Sequence, residues 1–402
     1  MTTLEAMVDA AKAAGRGLAA LSGEERAALL EGFAAALADP ARRAPVAAAN
    51  GEDLAAARVA AARGELADAL VDRLALDGKK IASLVDGLRQ LAGRPELVGR
   101  VLERRELDDG LLLERVAAPL GVVAVVFESR PDALVQIAGL AWKSGNALVL
   151  KGGREALRSN RALADLAREV LAEHGVDPGA LLLIEERAEV EALLALAGRV
   201  DLVVARGSSV FVRHVRATSR IPVMAHADGI CHLVLDAAAD PTMAARLAVD
   251  AKCSYPAACN AVETLLWDAA AGAALDACVE ALAEAGVELR ACAATREHHP
   301  ALAAATEADW DTEYGAPILS VRRVADLDAA LAHVAAHGSR HTEAIVTADP
   351  AAAERFLAEV DAACVFHNAS TRFADGFRFG LGAEVGISTD KLHARGPVGV
   401  EG

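Results

Sequence analysis

Two textures of hydrophobic and polar positions divide this chain, and the change between them falls near Pro119. Before it, apolar residues recur with helical spacing. Ser22-Gly-Glu-Glu25 fits a capping box, and Leu29, Leu30, Phe33 and Leu37 follow on one face. Alanine-rich helical stretches continue to about Leu91, and Leu107–Arg115 predicts a turn and a strand, a projecting hairpin. After Pro119, short β-rich apolar runs alternate with helical stretches. The runs are Val122–Phe127, Ala147–Leu150, Leu181–Ile184 and Leu202–Ala205, with helices expected over 132–142, 154–174, 187–198 and 208–218. A second block begins near Ile230, with runs at His232–Leu235, Glu263–Trp267, Ala344–Val346 and Cys364–His367. Strand–helix alternation predicts right-handed βαβ units and parallel sheets. The expectation is two α/β domains in series, bordering near Asp228.

Composition narrows the class. The chain has 402 residues, 54% of them apolar and 24% charged, which argues for a folded protein with sizeable cores. Mean hydropathy is +0.27, but alanine is the cause. The longest uncharged apolar run, Val116 to Phe127, is far short of the roughly 20 residues a membrane-spanning helix needs. A net charge of −16 argues against nucleic acid as a partner. Six cysteines at 231, 253, 259, 278, 292 and 364 show no CxxC pair, which suits free thiols in the cytoplasm. Only 7 of the 41 basic residues are Lys, and four of these (Lys143, Lys151, Lys252, Lys391) fall in segments singled out for chemistry.

Cys259 stands in Ser254-Tyr-Pro-Ala-Ala-Cys-Asn260, ahead of a strand. A Cys on such a turn is either a nucleophile stabilised by N–H dipoles or a small apolar filler. Cys231, Cys278 and Cys364 are expected in the core; Cys253 and Cys292 stay undecided. Lys151-Gly152-Gly153-Arg154 follows a strand and opens a helix, so it is either an anion-binding turn, with Lys151 and Arg154 on a ribose or its 2′-phosphate, or a solvated loop. Arg206-Gly207-Ser208-Ser209 repeats the arrangement one unit later. The last forty residues are rich in Gly, Arg and hydroxyls, which suits carboxylate or phosphate; the alternative is a loop packed on the second domain. No GxSxG is present, and neither His298-His299 nor His337/His341 has a partner cluster, so neither a serine hydrolase nor a metal site is expected.

The segments FESRPD (127–132), KSGNALVLKGGREA (143–156), CNAVETLL (259–266), NASTRFADG (368–376) and FGLGAEVGISTDKLHARGPVG (379–399), together with RLAL (73–76), resemble the gamma-glutamyl phosphate reductases, also called glutamate-5-semialdehyde dehydrogenases, of the aldehyde dehydrogenase superfamily. The resemblance covers nearly the whole chain. It implies an α/β fold of two Rossmann-like three-layer domains with a small β oligomerisation arm. Residues 1–228 would bind NADP(H), with 105–117 as the arm; residues 229–402 would carry the cysteine, with 367–402 as a substrate segment. It implies Cys259 as the catalytic cysteine. The Ser144-Gly145-Asn146 loop and Lys151 would meet the adenosine ribose, Gly207 and Ser208 the pyrophosphate, and Glu313 the nicotinamide ribose; Gly152, Gly153 and Arg154, read from the glycine turn itself, complete the cofactor-binding candidates. Asn260, on adjacency alone, is a candidate oxyanion donor beside the Cys259 N–H. Arg130, Asn368, Ser370, Thr371, Arg372, His393 and Arg395 are candidates for the substrate's phosphate and carboxylates.

The reaction implied is NADPH-dependent reduction of L-glutamyl 5-phosphate to L-glutamate 5-semialdehyde and phosphate through a cysteine thioester, the second step of proline biosynthesis. Ordinary aldehyde dehydrogenases carry a glutamate upstream of the cysteine that activates water. Here the aligned stretch, His226-Ala-Asp-Gly-Ile-Cys-His232, has none, as suits an enzyme that must keep its thioester from water. The competing readings are a hydrolytic NAD(P)-dependent aldehyde dehydrogenase, with Asp228 as base, and a non-catalytic partner of glutamate kinase. A homo-oligomer is expected, with glutamate kinase as a candidate partner. Related chains continue past the point matching Gly402 with a strand through which subunits pair, so the oligomeric state stays open.

Overall fold

The computed structural model describes residues 3–66, 68–127, 130–376, 378–381, 384, 386–391 and 396–398. The chain divides into two compact units. One holds residues up to Ala225 with Gly380–Gly386; the other holds His226–Phe379 with Ile387–Pro397. Part of the polar C-terminal segment thus belongs to the first unit.

The first unit opens with five helices, α1 (Leu4–Ala20), α2 (Gly23–Ala38), α3 (Pro40–Ala62), α4 (Asp68–Leu74) and α5 (Gly78–Ala92). The capping box forms at α2, where the Ser22 hydroxyl accepts from the Glu25 N–H and the Glu25 carboxylate accepts from the Ser22 N–H. Leu29, Leu30, Phe33 and Leu37 are all fully buried. Next comes an antiparallel hairpin, β1 (Val101–Asp108) and β2 (Leu111–Val116). It starts earlier than the sequence pattern suggests, because Glu103, Arg104 and Arg105 mask the strand. Both of its faces are exposed.

A five-stranded parallel sheet follows: β3 (Val122–Val126), β4 (Ala147–Lys151), β5 (Leu181–Leu183), β6 (Leu202–Ala205) and β7 (Val223–Ala225). Between them lie α6 (Pro131–Lys143), α7 (Leu157–Glu173), α8 (Arg187–Leu194) and α9 (Ser209–Thr218). The strand order is β5-β4-β3-β6-β7, so the direction of winding reverses between β3 and β6, the place where such sheets bind ligands.

The second unit is built on a seven-stranded parallel sheet in the order β11-β10-β12-β9-β8-β13-β14. The strands are β8 (Cys231–Leu235), β9 (Val262–Asp268), β10 (Glu288–Ala291), β11 (Ala303–Ala304), β12 (Ile318–Val324), β13 (Thr342–Val346) and β14 (Cys364–His367). Helices α10 (Pro241–Cys253), α11 (Gly272–Glu284), α12 (Ala293–His298), α13 (Leu327–His337) and α14 (Pro350–Glu359) complete it. Successive residues of a strand face opposite sides. Leu233 and Leu235 pack with Ala248, Ala251, Leu275 and Cys278 of α10 and α11, whereas Val234 packs with Val334 and Phe356 of α13 and α14. That alternation makes three layers. Strand β12 reads poorly because it carries Arg322 and Arg323, whose guanidinium groups lie over the rings of Trp310 and Trp267. A short two-stranded sheet, β15 (Gly386–Ser388) and β16 (Gly396–Val398), ends the described chain.

Candidate active site

In the first unit the carboxyl ends of three strands stand level. Val126 of β3 pairs with Lys151 of β4 on one side and with Ala205 of β6 on the other. The Phe127 N–H donates to the Lys151 carbonyl at 2.9 Å, and the Arg206 N–H to the Val126 carbonyl at 2.8 Å. Lys151, Gly152, Gly153, Arg154, Gly207 and Ser208 are therefore gathered along one edge. Ser208 caps α9, its hydroxyl accepting from the Phe211 N–H. The N-terminus of a ten-residue helix thus opens on this edge, a favourable place for a phosphate group. Gly152 is required by packing: a Cβ there would lie 2.1 Å from Nδ2 of buried Asn160. Lys151 is half-buried and donates to the Gly152 carbonyl at 2.7 Å. Burial pulls its ammonium below the ordinary lysine value, against the opposing pull of Glu155. Arg154 is exposed, and Arg130, at the start of α6, pairs with Asp132 at 2.8 Å.

Ser144, Gly145 and Asn146 lie elsewhere, and their assignment to the cofactor is corrected. They precede β4 and so stand at its amino end, opposite Lys151. Their polar groups close the α6–β4 turn. The Ser144 hydroxyl donates to the Leu140 carbonyl, Asn146 Nδ2 donates to that hydroxyl, and Asn146 Oδ1 accepts from the Gly121 N–H. Gly145 has φ +73°, a conformation that suits glycine.

In the second unit, Cys259 lies on two successive turns between α10 and β9, closed by Ala258 N–H to Tyr255 carbonyl and Ala261 N–H to Ala258 carbonyl. It is half-buried, at the amino edge of the sheet. Its backbone is pressed against Gly229, where a Cβ would lie 2.0 Å from the Cys259 carbonyl oxygen. Beneath the loop, Lys252 of α10 and Glu263 of β9 form a fully buried ion pair at 2.5 Å that ties its two ends together. Burial lifts the Glu263 carboxyl to about 7 even with Lys252 pulling it down.

The structure brings Asn260 and Arg372 together beside the cysteine. Asn260 is buried; one amide N–H donates to the Ala374 carbonyl at 2.9 Å, and its Oδ1 accepts from the Arg372 guanidinium. Arg372 Nε also donates to the Ser254 hydroxyl at 3.2 Å. Ser370 is buried and accepts from the Arg372 N–H; Thr371 is buried, its hydroxyl without a hydrogen-bond partner. Asn368 is committed elsewhere: its amide bridges the Thr347 N–H and carbonyl, and its backbone is left-handed at φ +53°. His393 and Arg395 lie outside the described residues. Glu313 accepts from the Gly229 N–H; crowding by protein atoms raises its carboxyl, and Asp228 raises it further, against that N–H and Lys252.

Two histidines missed by sequence reasoning lie beside Cys259. His226, Cys259 and His341 place one nitrogen or sulfur atom each within 4.8 Å of one another. They come from three separate segments, so no spacing signals the cluster. The other cysteines differ in kind. Cys231 and Cys364 are buried at strand starts, and burial pushes the Cys278 thiol up to about 12. Burial also raises Cys253. Cys292 is drawn below the usual thiol value: burial would raise it, but the Thr295 hydroxyl and nearby N–H groups outweigh that.

Two parallel sheets of this order, one with glycine turns and a helix N-terminus at its carboxyl edge and the other with a half-buried cysteine at its amino edge, fit the aldehyde dehydrogenase class, and residues 2–299 match the sequence model of the aldehyde dehydrogenase family. A gamma-glutamyl phosphate reductase from a Synechococcus strain is 55% identical over 401 residues, covering 99% of this chain and 88% of that one. The crystal structure of gamma-glutamyl phosphate reductase from Thermotoga maritima superposes with a TM-score of 0.94 at 37% identity, covering 99% of this chain and 96% of that one. An engineered glycolyl-CoA reductase with bound NADP+ shares the fold alone, with a TM-score of 0.69 at 16% identity over 100% of this chain and 95% of that one. The chain belongs to the gamma-glutamyl phosphate reductases, oxidoreductases of the aldehyde dehydrogenase family.

Proposed function

We propose that the protein reduces L-glutamyl 5-phosphate to L-glutamate 5-semialdehyde and phosphate, with Cys259 as nucleophile and NADPH as reductant. The position of Cys259 carries the reading: a turn at a sheet edge, braced by Gly229 and by the Lys252–Glu263 pair, with Arg372 beside it. The Cys259 thiolate attacks the acyl carbon, the carbon–oxygen bond to phosphate breaks, and phosphate leaves with the electron pair. A thioester remains. Oxyanions form at each tetrahedral stage, facing the Cys259 N–H and the second hydrogen of the Asn260 amide. Arg372 offers its charge to the phosphate or carboxylate of the substrate. When bound, the nicotinamide cofactor supplies the hydride that reduces the thioester carbon. The carbon–sulfur bond then breaks, the thiolate returns, and the aldehyde is released.

The level strand ends at Val126, Lys151 and Ala205, the tight packing at Gly152 and the Ser208-capped helix fit a dinucleotide. Lys151 and Arg154 are the residues proposed for a 2′-phosphate, Ser208 for the pyrophosphate and Glu313 for the nicotinamide ribose. The NADP+-bound protein of the same fold supports a nicotinamide cofactor. Val101, Leu102, Leu107 and Leu111 to Leu113 are exposed on the hairpin, an apolar surface suited to a homo-oligomer. No helix among the described residues is long and apolar enough to cross a membrane.

The test is replacement of each cysteine. Cys259→Ala abolishes turnover while leaving folding and NADPH binding unchanged; Ala at 231, 253, 278, 292 or 364 retains activity with some loss of stability at the buried positions. Substantial turnover by Cys259→Ala overturns the mechanism.

A further inference from the structure

Beside the proposed nucleophile lie two imidazoles that the reduction does not use. His226, Cys259 and His341 together offer two imidazoles and a thiol, their ligating atoms within 4.8 Å of one another. In a tetrahedral zinc site, Zn–N near 2.1 Å and Zn–S near 2.3 Å put ligand atoms about 3.5 Å apart.

His226 Nδ1 faces the Ile387 carbonyl at 3.1 Å. A carbonyl only accepts, so Nδ1 carries the proton and Nε2 is the nitrogen left to ligate. This is the outer-shell hydrogen bond that fixes a metal-binding tautomer. His341 Nδ1 lies 2.8 Å from the Thr342 hydroxyl, while its Nε2 is buried with no hydrogen-bond partner. An orphaned buried nitrogen costs stability, and a cation satisfies it. The two rings meet edge to face with centroids 5.1 Å apart.

We propose that His226, Cys259 and His341 form a binding site for a thiophilic divalent cation, Zn2+ above all, with a water or substrate oxygen as fourth ligand. Binding displaces the thiol proton to solvent and forms the metal–sulfur bond, with no redox change. The chelation rests on these three side chains alone. Its consequence, reversible shutdown of turnover, rests on the reading of Cys259 as nucleophile.

The experiment starts from a His298→Ala/His299→Ala background, because Asp276, His298 and His299 make a second, surface cluster able to hold a cation. Co2+ is titrated into the full chain, and thiolate-to-cobalt absorption is read in the near ultraviolet. The expected result is one equivalent bound, displaced by Zn2+, with slowed alkylation of Cys259 and loss of turnover in parallel. Cys259→Ser abolishes the band, and His226→Ala weakens binding by at least about tenfold, since removal of even an outer-shell partner costs that much. No thiolate band, or a band that His226→Ala leaves unchanged, overturns the site. Binding that blocks alkylation while turnover continues supports the site and contradicts the nucleophile instead.

Discussion

The two sheets present their chemistry at opposite ends. On the proposed reading, the first unit binds the cofactor at the carboxyl ends of β3, β4 and β6, where the structure places glycine turns, a helix N-terminus and Lys151. The chemistry proposed for the second lies at the amino edge, on the side chains of Cys259, Asn260 and Arg372, above the buried Lys252–Glu263 pair. An edge built from backbone tolerates substitution, because no single side chain carries its function. An edge built from side chains on a braced turn does not. The contrast predicts graded effects on one side and abrupt ones on the other.

The largest effect is expected at the brace. Lys252→Met leaves Glu263 buried without its partner, a loss of about 3–5 kcal/mol by the general cost of breaking such pairs. A carboxyl whose folded pKa lies above its unfolded one contributes stability at low pH and loses it as pH rises through the folded value, already about 7 with Lys252 present. The deficit of Lys252→Met in denaturant unfolding should therefore grow from about pH 6 to about pH 8. A deficit that shrinks over that range means the pair does not brace the loop.

Gly229→Ala should come next. Its methyl group would sit 2.0 Å from the Cys259 carbonyl oxygen, so the nucleophile turn must move. A displacement near 1 Å can cost about a hundredfold in turnover. Cofactor binding, read separately by fluorescence, shows whether Glu313, which accepts from the Gly229 N–H, shifts with the turn. A fully active Gly229→Ala protein would show the turn to be loosely held.

The smallest effect belongs to the first edge. Removing both Lys151 and Arg154 side chains should narrow the preference for NADPH over NADH by about tenfold, the loss of a charge-assisted hydrogen bond. An unchanged ratio of kcat/KM values would place the 2′-phosphate elsewhere.

What the sequence made legible follows the same division. Val122–Val126 and Leu202–Ala205 read as strands because both faces are buried, and the loops after them follow directly. Cys259 stood out through its turn residues. What escaped depended on contacts between distant segments. Gly229 against Cys259, and His341 beside His226, leave no periodic trace. Nearness in sequence also misled at Ser144–Asn146, a few residues from Lys151 yet at the other end of the same strand. The scarce lysines point to structure as much as function. Lys143 is buried and donates to the Arg94 carbonyl at 2.8 Å, and Lys252 is locked to Glu263. Lys391 pairs with Asp361 at the surface.

The central claim is that Cys259 holds an acyl group whose natural acceptor is phosphate. The stretch 224–232 offers no glutamate to activate water, and the carboxylates of Asp228 and Glu313 lie beside Gly229, which packs against Cys259. The decisive measurement runs the reaction backwards, with L-glutamate 5-semialdehyde and NADP+ in the absence of phosphate or arsenate. A burst of NADPH equal to the active-site concentration, then a near-flat line that added phosphate restores to steady turnover, is the predicted trace. Rapid multiple turnover without phosphate would contradict the account and make Asp228 or Glu313 the base of a hydrolytic aldehyde dehydrogenase.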